Sequence, residues 1–252
     1  TVKGIDGTIT ELVSKGESVF SASDLSKMSP EARSAAERMQ SSANGKIATY
    51  YEYDGNGLLI GVGGSRDAAG HVSGPVVSVT KVKDAFGNET LVLTETEMVV
   101  IGGMAKARKV TSESVTVGVD ASVTWTQSHS VTYHYEGEQY GVNGAIDRER
   151  MKTEVAAAWA TNPQTGPVIG HLQSVDADNV VVISVDGFGG ENRTETKQFM
   201  TVWKDHAQLE HTEVIEQTVK GIDGTITELV KNGELIFNAG ELSKMSPEAR
   251  AA

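Results

Sequence analysis

Gly61-Val62-Gly63-Gly64-Ser65-Arg66 follows an apolar run, and glycines so placed let backbone amides approach a pyrophosphate at the start of a helix. Arg66 stands where that fingerprint needs its third glycine, and Gly70, Gly74 and Pro75 leave no room for the helix. A turn is expected instead. Gly187-Phe188-Gly189-Gly190 fails in the same way, because Asn192 to Met200 reads as a returning strand.

Six histidines raise the question of a metal. His129 and His134 fall on opposite parities of an alternating stretch, so an unbroken strand sends them to opposite faces. His206 and His211, with Asp205 and Glu210 beside them, fit neither helical neighbours nor one strand face. Calcium needs about six to eight oxygens, and three acidic turns offer some: Asp54 with Asn56, Asp84 with Asn88, and Asp176 with Asp178. None completes an EF-hand loop, and Asp, Asn and Gly make turns without an ion. No cofactor is therefore expected, with calcium the one candidate. The chain has no cysteine, which excludes disulfides, thiolate zinc sites and cysteine nucleophiles. Nothing such as Gly-x-Ser-x-Gly marks a hydrolase, and the chain reads as a non-enzyme.

The elements that would carry these residues are mostly strands. From Ser114 to Tyr135 the chain alternates: Val115, Val117, Val119, Ala121, Val123, Trp125, Val131, Tyr133 and Tyr135 share one parity, opposite a Ser- and Thr-rich one. One strand of that length would reach about 70 Å, so a turn or bend is expected near Gly118 to Ala121 or Gln127 to Ser130. The alternation predicts a buried apolar face, with Thr116, Thr124, Thr126 and Thr132 exposed. Hairpins are expected at Asp54 to Gly57, Asp84 to Glu89 and Asp186 to Glu191. Two short helices are expected. Ser29-Pro30-Glu31 caps one near 29–41, with Ala32, Ala35, Ala36 and Met39 at helical spacing. The other runs near 147–160, with Val155, Ala156 and Trp159 on a stripe ended by Asn162-Pro163. The fold class is thus mainly β, an antiparallel sheet or sandwich module.

A long-range repeat organises the whole. Thr1 to Val13 recurs without change as Thr218 to Val230, and the match continues to Arg33 and Arg250. Over 35 positions only eight differ (14, 15, 18, 19, 21, 23, 24 and 34), at a constant offset of 217 residues. Such an offset fits a tandem array whose unit is a whole domain. Residues 1–217 are read as one unit and 218–252 as the truncated start of the next, since the second copy reaches Ala252 inside the helix that Ser246-Pro247-Glu248 begins.

Net charge is −12 without clustered cations, which argues against nucleic acid, and no apolar run is long enough to span a bilayer. Acidic, mutually repelling units suit a structural or adhesive module of a large repetitive secreted or cell-surface protein. Its expected partners are neighbouring copies of the same unit, with a surface polysaccharide or protein as a further candidate. The alternatives are a secreted β-scaffold hydrolase or lyase, and a self-assembling filament or sheath subunit. Thr218, Val219, Ile222, Thr225, Ile226, Leu229 and Val230 are expected to form the inter-unit junction, either pairing within their own unit or adding as a strand to a neighbour's sheet.

Overall fold

The alternating stretch from Ser114 to Tyr135 resolves into parts of two strands, Met104–Val117 and Val123–Tyr135, joined by a turn at 118–122. The turn falls at the first of the two alternative places, and the second is marked by a bulge between Thr126 and His129. The computed structural model describes residues 1–162, 166–247 and 249. Strands hold 48% of the chain against 17% in helices, so the fold is mainly β.

One twelve-stranded antiparallel sheet dominates. Its order is Val2–Lys3, Ile9–Leu12, Val76–Lys83, Glu89–Ile101, Met104–Val117, Val123–Tyr135, Val180–Val185, Glu191–Trp203, His206–Lys220, Ile226–Lys231 and Glu234–Phe237. Leu172–Ala177 pairs with one half of Val123–Tyr135 and Val180–Val185 with the other half of the same edge. Tyr50–Tyr53 with Leu59–Gly63, and Ser65–Arg66 with Val72–Ser73, form two small separate hairpins.

The three expected hairpins share one device. Asp54, Asp84 and Asp186 each begin a five-residue loop and accept, through Oδ1, the amides two and four residues on, at 2.8 to 2.9 Å. A residue at positive φ in the fourth position, Gly57, Gly87 or Gly189, closes each loop. The sequence did not disclose two tighter turns. Gly102-Gly103 joins Ile101 to Met104, and Lys204-Asp205 joins Trp203 to His206 with both residues at positive φ despite carrying side chains.

Of the sheet and the sandwich expected from the sequence, the chain takes a sheet covered by helix. Pro30–Ser42 starts where Ser29 Oγ accepts the Ala32 amide at 3.2 Å, and buries Ala32, Ala35, Ala36 and Met39. These side chains, with Val13, Phe20 and Met28, cover Val79, Leu91, Leu93, Val115, Val117 and Val123. Each large apolar side chain so buried contributes roughly 1.5–3 kcal/mol.

The helices number four rather than two among the described residues, because Ala22–Lys27 and Ala239–Leu242 are added. The Ser21-x-x-Asp24 signal of the first was legible: Ser21 Oγ accepts the Asp24 amide, and Asp24 Oδ2 accepts the Ser21 amide, each at 3.1 Å. Arg148–Thr161 forms as a helix but buries nothing, and Trp159 instead donates Nε1–H to the Pro167 carbonyl at 3.2 Å. Apart from Val155 and Trp159 its apolar residues are Met151 and four alanines, spread round the helix without a continuous face to lay on the core; Pro163, read as its stop, lies outside the described residues. Thr116, Thr124, Thr126 and Thr132 are half-buried rather than exposed. They lie on interior strands with neighbours on both sides, where Thr116 shares a hydrogen bond with Thr90 (2.9 Å) and Thr124 with Ser184 (3.1 Å). On the apolar parity Val115, Val117 and Val123 are buried as expected, but Trp125, Val131 and Tyr133 are only half-buried, because the helix-covered core reaches no further along this strand than Val123 and the edge of Trp125. Val119 lies in the turn and is exposed.

Candidate functional site

The residues that suggested ion or phosphate chemistry are engaged in holding the backbone. At Gly64 a Cβ would lie 1.9 Å from the Pro75 carbonyl oxygen, and at Gly63 2.7 Å from that of Ser73. Close approach of two backbone segments accounts for this glycine run. Asp54 accepts two amides, those of Asn56 and Leu58, and Asp84 accepts those of Phe86 and Asn88 and the Asn88 side chain. Asp176 and Asp178 do not form the turn expected of them. Asp176 lies within the strand Leu172–Ala177 and accepts from His134 Nε2 at 2.8 Å. Asp178 takes the Ser130 amide at 3.0 Å, beside the bulge in the facing strand. Of the other histidines, His129 Nδ1 is 3.0 Å from the Gln127 carbonyl oxygen, and His211 stacks on Phe199 with 4.3 Å between ring centroids. Among the described residues no group of three or more His, Asp or Glu could hold a metal ion.

The turn carboxylates have a pH consequence. The Leu58 amide, foremost, holds Asp54 below the ordinary Asp range; at Asp84 desolvation pushes upward but is outweighed by the hydrogen bonds from Asn88 and Phe86. A folded pKa below the unfolded one contributes stability that is complete above the carboxylate range and is lost as the pH falls below about 4. Acid titration of the melting temperature should therefore show stability falling through that window, less steeply in Asp54→Asn and Asp84→Asn variants. Chelator at neutral pH should move the melting temperature by less than about 5 °C, since the carboxylates are already hydrogen-bonded to the chain.

A cleft of about 300 Å³ opens beside Ile9, Glu11, Glu17, Val19 and Lys81. Lys81 Nζ stands 2.5 Å from Glu17 and 3.2 Å from Glu11. Lys81 and the Ser14 amide hold Glu17 below the usual carboxylate range; Glu11 is held down by the Thr1 hydroxyl and Lys81. A glycosidase-type general acid needs the opposite shift, so this pair does not supply one.

The repeated segment builds the most distinctive surface. Both copies fold into the same turn. Gly4 donates its amide to the Thr8 carbonyl at 2.7 Å, Gly7 to Gly4 at 3.2 Å, and Thr8 to Asp6 Oδ1 at 3.0 Å. The second copy repeats these bonds at Gly221, Gly224 and Thr225, at 2.9, 2.9 and 3.0 Å. Gly7 and Gly224 both take positive φ, at +87° and +80°.

Their surroundings differ. Val2–Lys3 is the outermost strand of the sheet, paired only with Ile9–Leu12. Thr218, Val219 and Lys220 belong to the strand His206–Lys220 and are paired on both edges: with Arg193, Asn192 and Glu191 on one, and with Leu229, Glu228 and Ile226 on the other. Thr218 is buried as a result, and Lys220 Nζ reaches Glu191 at 2.7 Å. Ile222 projects from the turn between Lys220 and Ile226 and is 74% exposed; Thr225 is exposed beside it. On the far side, Ile9–Leu12 pairs with Val76–Lys83, whereas Ile226–Lys231 pairs with Glu234–Phe237. Val230 there faces Leu235 in register, across a turn of Asn232 and Gly233 at positive φ. Four of the eight sequence differences fall within this hairpin, where the second copy has Lys231, Asn232, Leu235 and Ile236 in place of Ser14, Lys15, Ser18 and Val19.

The next helix start is kept in both copies although its residues change. Asn238 Oδ1 accepts the Glu241 amide and Glu241 Oε2 the Asn238 amide, each at 3.1 Å, as Ser21 and Asp24 do in the first copy. The end of the repeat, Glu248 and residues 250–252, lies outside the described residues.

Glu113 is the polar residue the sequence reading missed. It is buried on the helix-covered face, where Arg38 and Trp125 Nε1 (3.0 Å) both donate to it. Its place on the same parity as Val115 and Val117 was the available signal.

No family model, curated protein or solved structure matches this chain. Among the described residues no helix is long and apolar enough to cross a membrane.

Proposed function

We propose that the chain is a structural or adhesive module of a large repetitive secreted or cell-surface protein, in which residues 1–217 form one unit, 218–252 open the next, and units join end to end through a shared sheet. The observation that carries this reading is the repeated hairpin: 27 of 35 residues agree between the copies, the turns share their hydrogen bonds, and the second copy is paired into the sheet built by the preceding residues. Backbone pairing across a joint suits a load-bearing link, because main-chain hydrogen bonds add along a strand whatever the side chains. The net charge of −12 favours spacing of units over collapse.

The test is a set of chains carrying two, three and four copies of residues 1–217 in series. Small-angle scattering should show a maximum dimension growing in equal steps and a cross-section that stays constant. A dimension growing roughly as the square root of copy number, as for beads on a flexible string, would refute the shared sheet.

A further inference from the structure

Among the described residues, side chains that build half of the core in the first copy of the repeat lack that cover in the second. In the first copy Val13, Phe20, Met28 and Ala32 are almost wholly buried against the sheet and the helix Pro30–Ser42. All four types recur in the second copy, as Val230, Phe237, Met245 and Ala249, and none of the eight differing positions is buried in the first. Yet Val230 and Phe237 are only half-buried, and Ile226, Leu235 and Ile236 are exposed.

The strand shows the same mismatch. Thr10 pairs with Val2 and Ile9 with Lys3 without interruption, but in the second copy Thr227 is passed over and Glu228 pairs with Val219. Where the first copy's strand meets the eight-residue strand Val76–Lys83, the second meets only four residues folded back from its own sequence. That short strand covers an edge that would otherwise offer unpaired backbone groups.

We propose that residues 218–249 are an exchangeable core segment whose partner is the body, residues 36–217, of a second copy of this chain. Ile226–Val230 then lies along that copy's Val76–Lys83, and Phe237 fills the space that Phe20 fills. This exchange rests on the linking role proposed above and supplies its interface. Within an array the second copy is the following unit; between separate molecules the segment displaces residues 1–35 of its neighbour, which are nearly the same sequence, and assembly runs head to tail.

The absence of cysteine from the chain allows a direct test. In the first copy Leu12 lies opposite Thr80. A Thr80→Cys/Leu229→Cys variant of residues 1–252 is refolded from denaturant at high protein concentration and mildly oxidised. Its two cysteines lie seven strands apart in the sheet order, roughly 30 Å or more, too far for a disulfide within one molecule. We expect a ladder of covalent oligomers whose cross-linked peptide joins position 80 to position 229. The yield should rise at least several-fold when Asn232→Lys weakens the turn that holds the covering strand.

The Thr80→Cys/Leu12→Cys chain serves as control and should cross-link within one molecule. Monomer alone, or dimers joined only 80 to 80 or 229 to 229, would overturn the exchange when the control cross-links normally. If the multi-unit chains still scatter as rods in that event, the linking role stands without the exchange. If they scatter as flexible strings, both fail.

Discussion

Phe20→Ala is expected to destabilise the chain by about 3–5 kcal/mol, whereas the same substitution at Phe237 should cost less than about 1 kcal/mol. The two residues occupy matching places in segments that agree at 27 of 35 positions, so their sequence surroundings are close to a controlled comparison. Phe20 is 1% exposed and packed with Val13, Met39, Leu91 and Leu93 in the main core; removing its ring leaves a cavity that the interlocked helix and sheet cannot close. Phe237 ends a four-residue strand and is only half-buried, so water already reaches its surroundings. Urea unfolding followed by tryptophan fluorescence should separate the two through the transition midpoint, with an unchanged slope. Equal losses at both positions would show that the second copy is as fully packed as the first.

The second large effect is expected at the buried carboxylate. Arg38→Ala should cost about 2 kcal/mol, toward or below the low end of the range for breaking a buried pair, because Arg38 itself is half exposed and its loss admits water. Glu113 is only 4% exposed, and its two oxygens are divided between Arg38 and the Trp125 indole. Without Arg38 the charge stays buried with one neutral donor. Glu113→Gln removes that charge while keeping an acceptor for Trp125, so it should cost about 1 kcal/mol, and the double variant should be more stable than Arg38→Ala alone. Additive losses in this cycle would mean that the two side chains do not act as a pair. Trp125 supplies an independent readout, since losing its carboxylate partner should shift the emission of that indole.

The parts of this fold that were legible are those that leave a local mark. Alternation at Val115, Val117, Val123 and Trp125 reports a strand and its apolar face, and Ser29-Pro30-Glu31 reports a helix start, because these signals arise within one element. Pairing across the sheet leaves no such mark. Nothing in the sequence of Thr116 or Thr124 says that interior strands flank it on both sides, and so half-burial was missed. The acidic stretch at Asp176 and Asp178 resembles a turn by composition. Asp178 instead lies in the gap between the two strands that share one edge of Val123–Tyr135, where its carboxylate satisfies the amide of Ser130, some fifty residues away in sequence. Among the candidate site residues, the repeat was visible at once, but the different environments of its two copies depend on which strands lie beside them.

Both residues of the hydrogen-bonded pair that opens the first short helix have been replaced in the second copy, Ser21 by Asn238 and Asp24 by Glu241, and the reciprocal bonds survive. Two different residue pairs thus close the same reciprocal bonds at the same place in the repeat, so what the copies hold in common there is a geometry and not a pair of side chains. Exchanging the pairs, Asn and Glu at 21 and 24 or Ser and Asp at 238 and 241, should leave both helix starts formed.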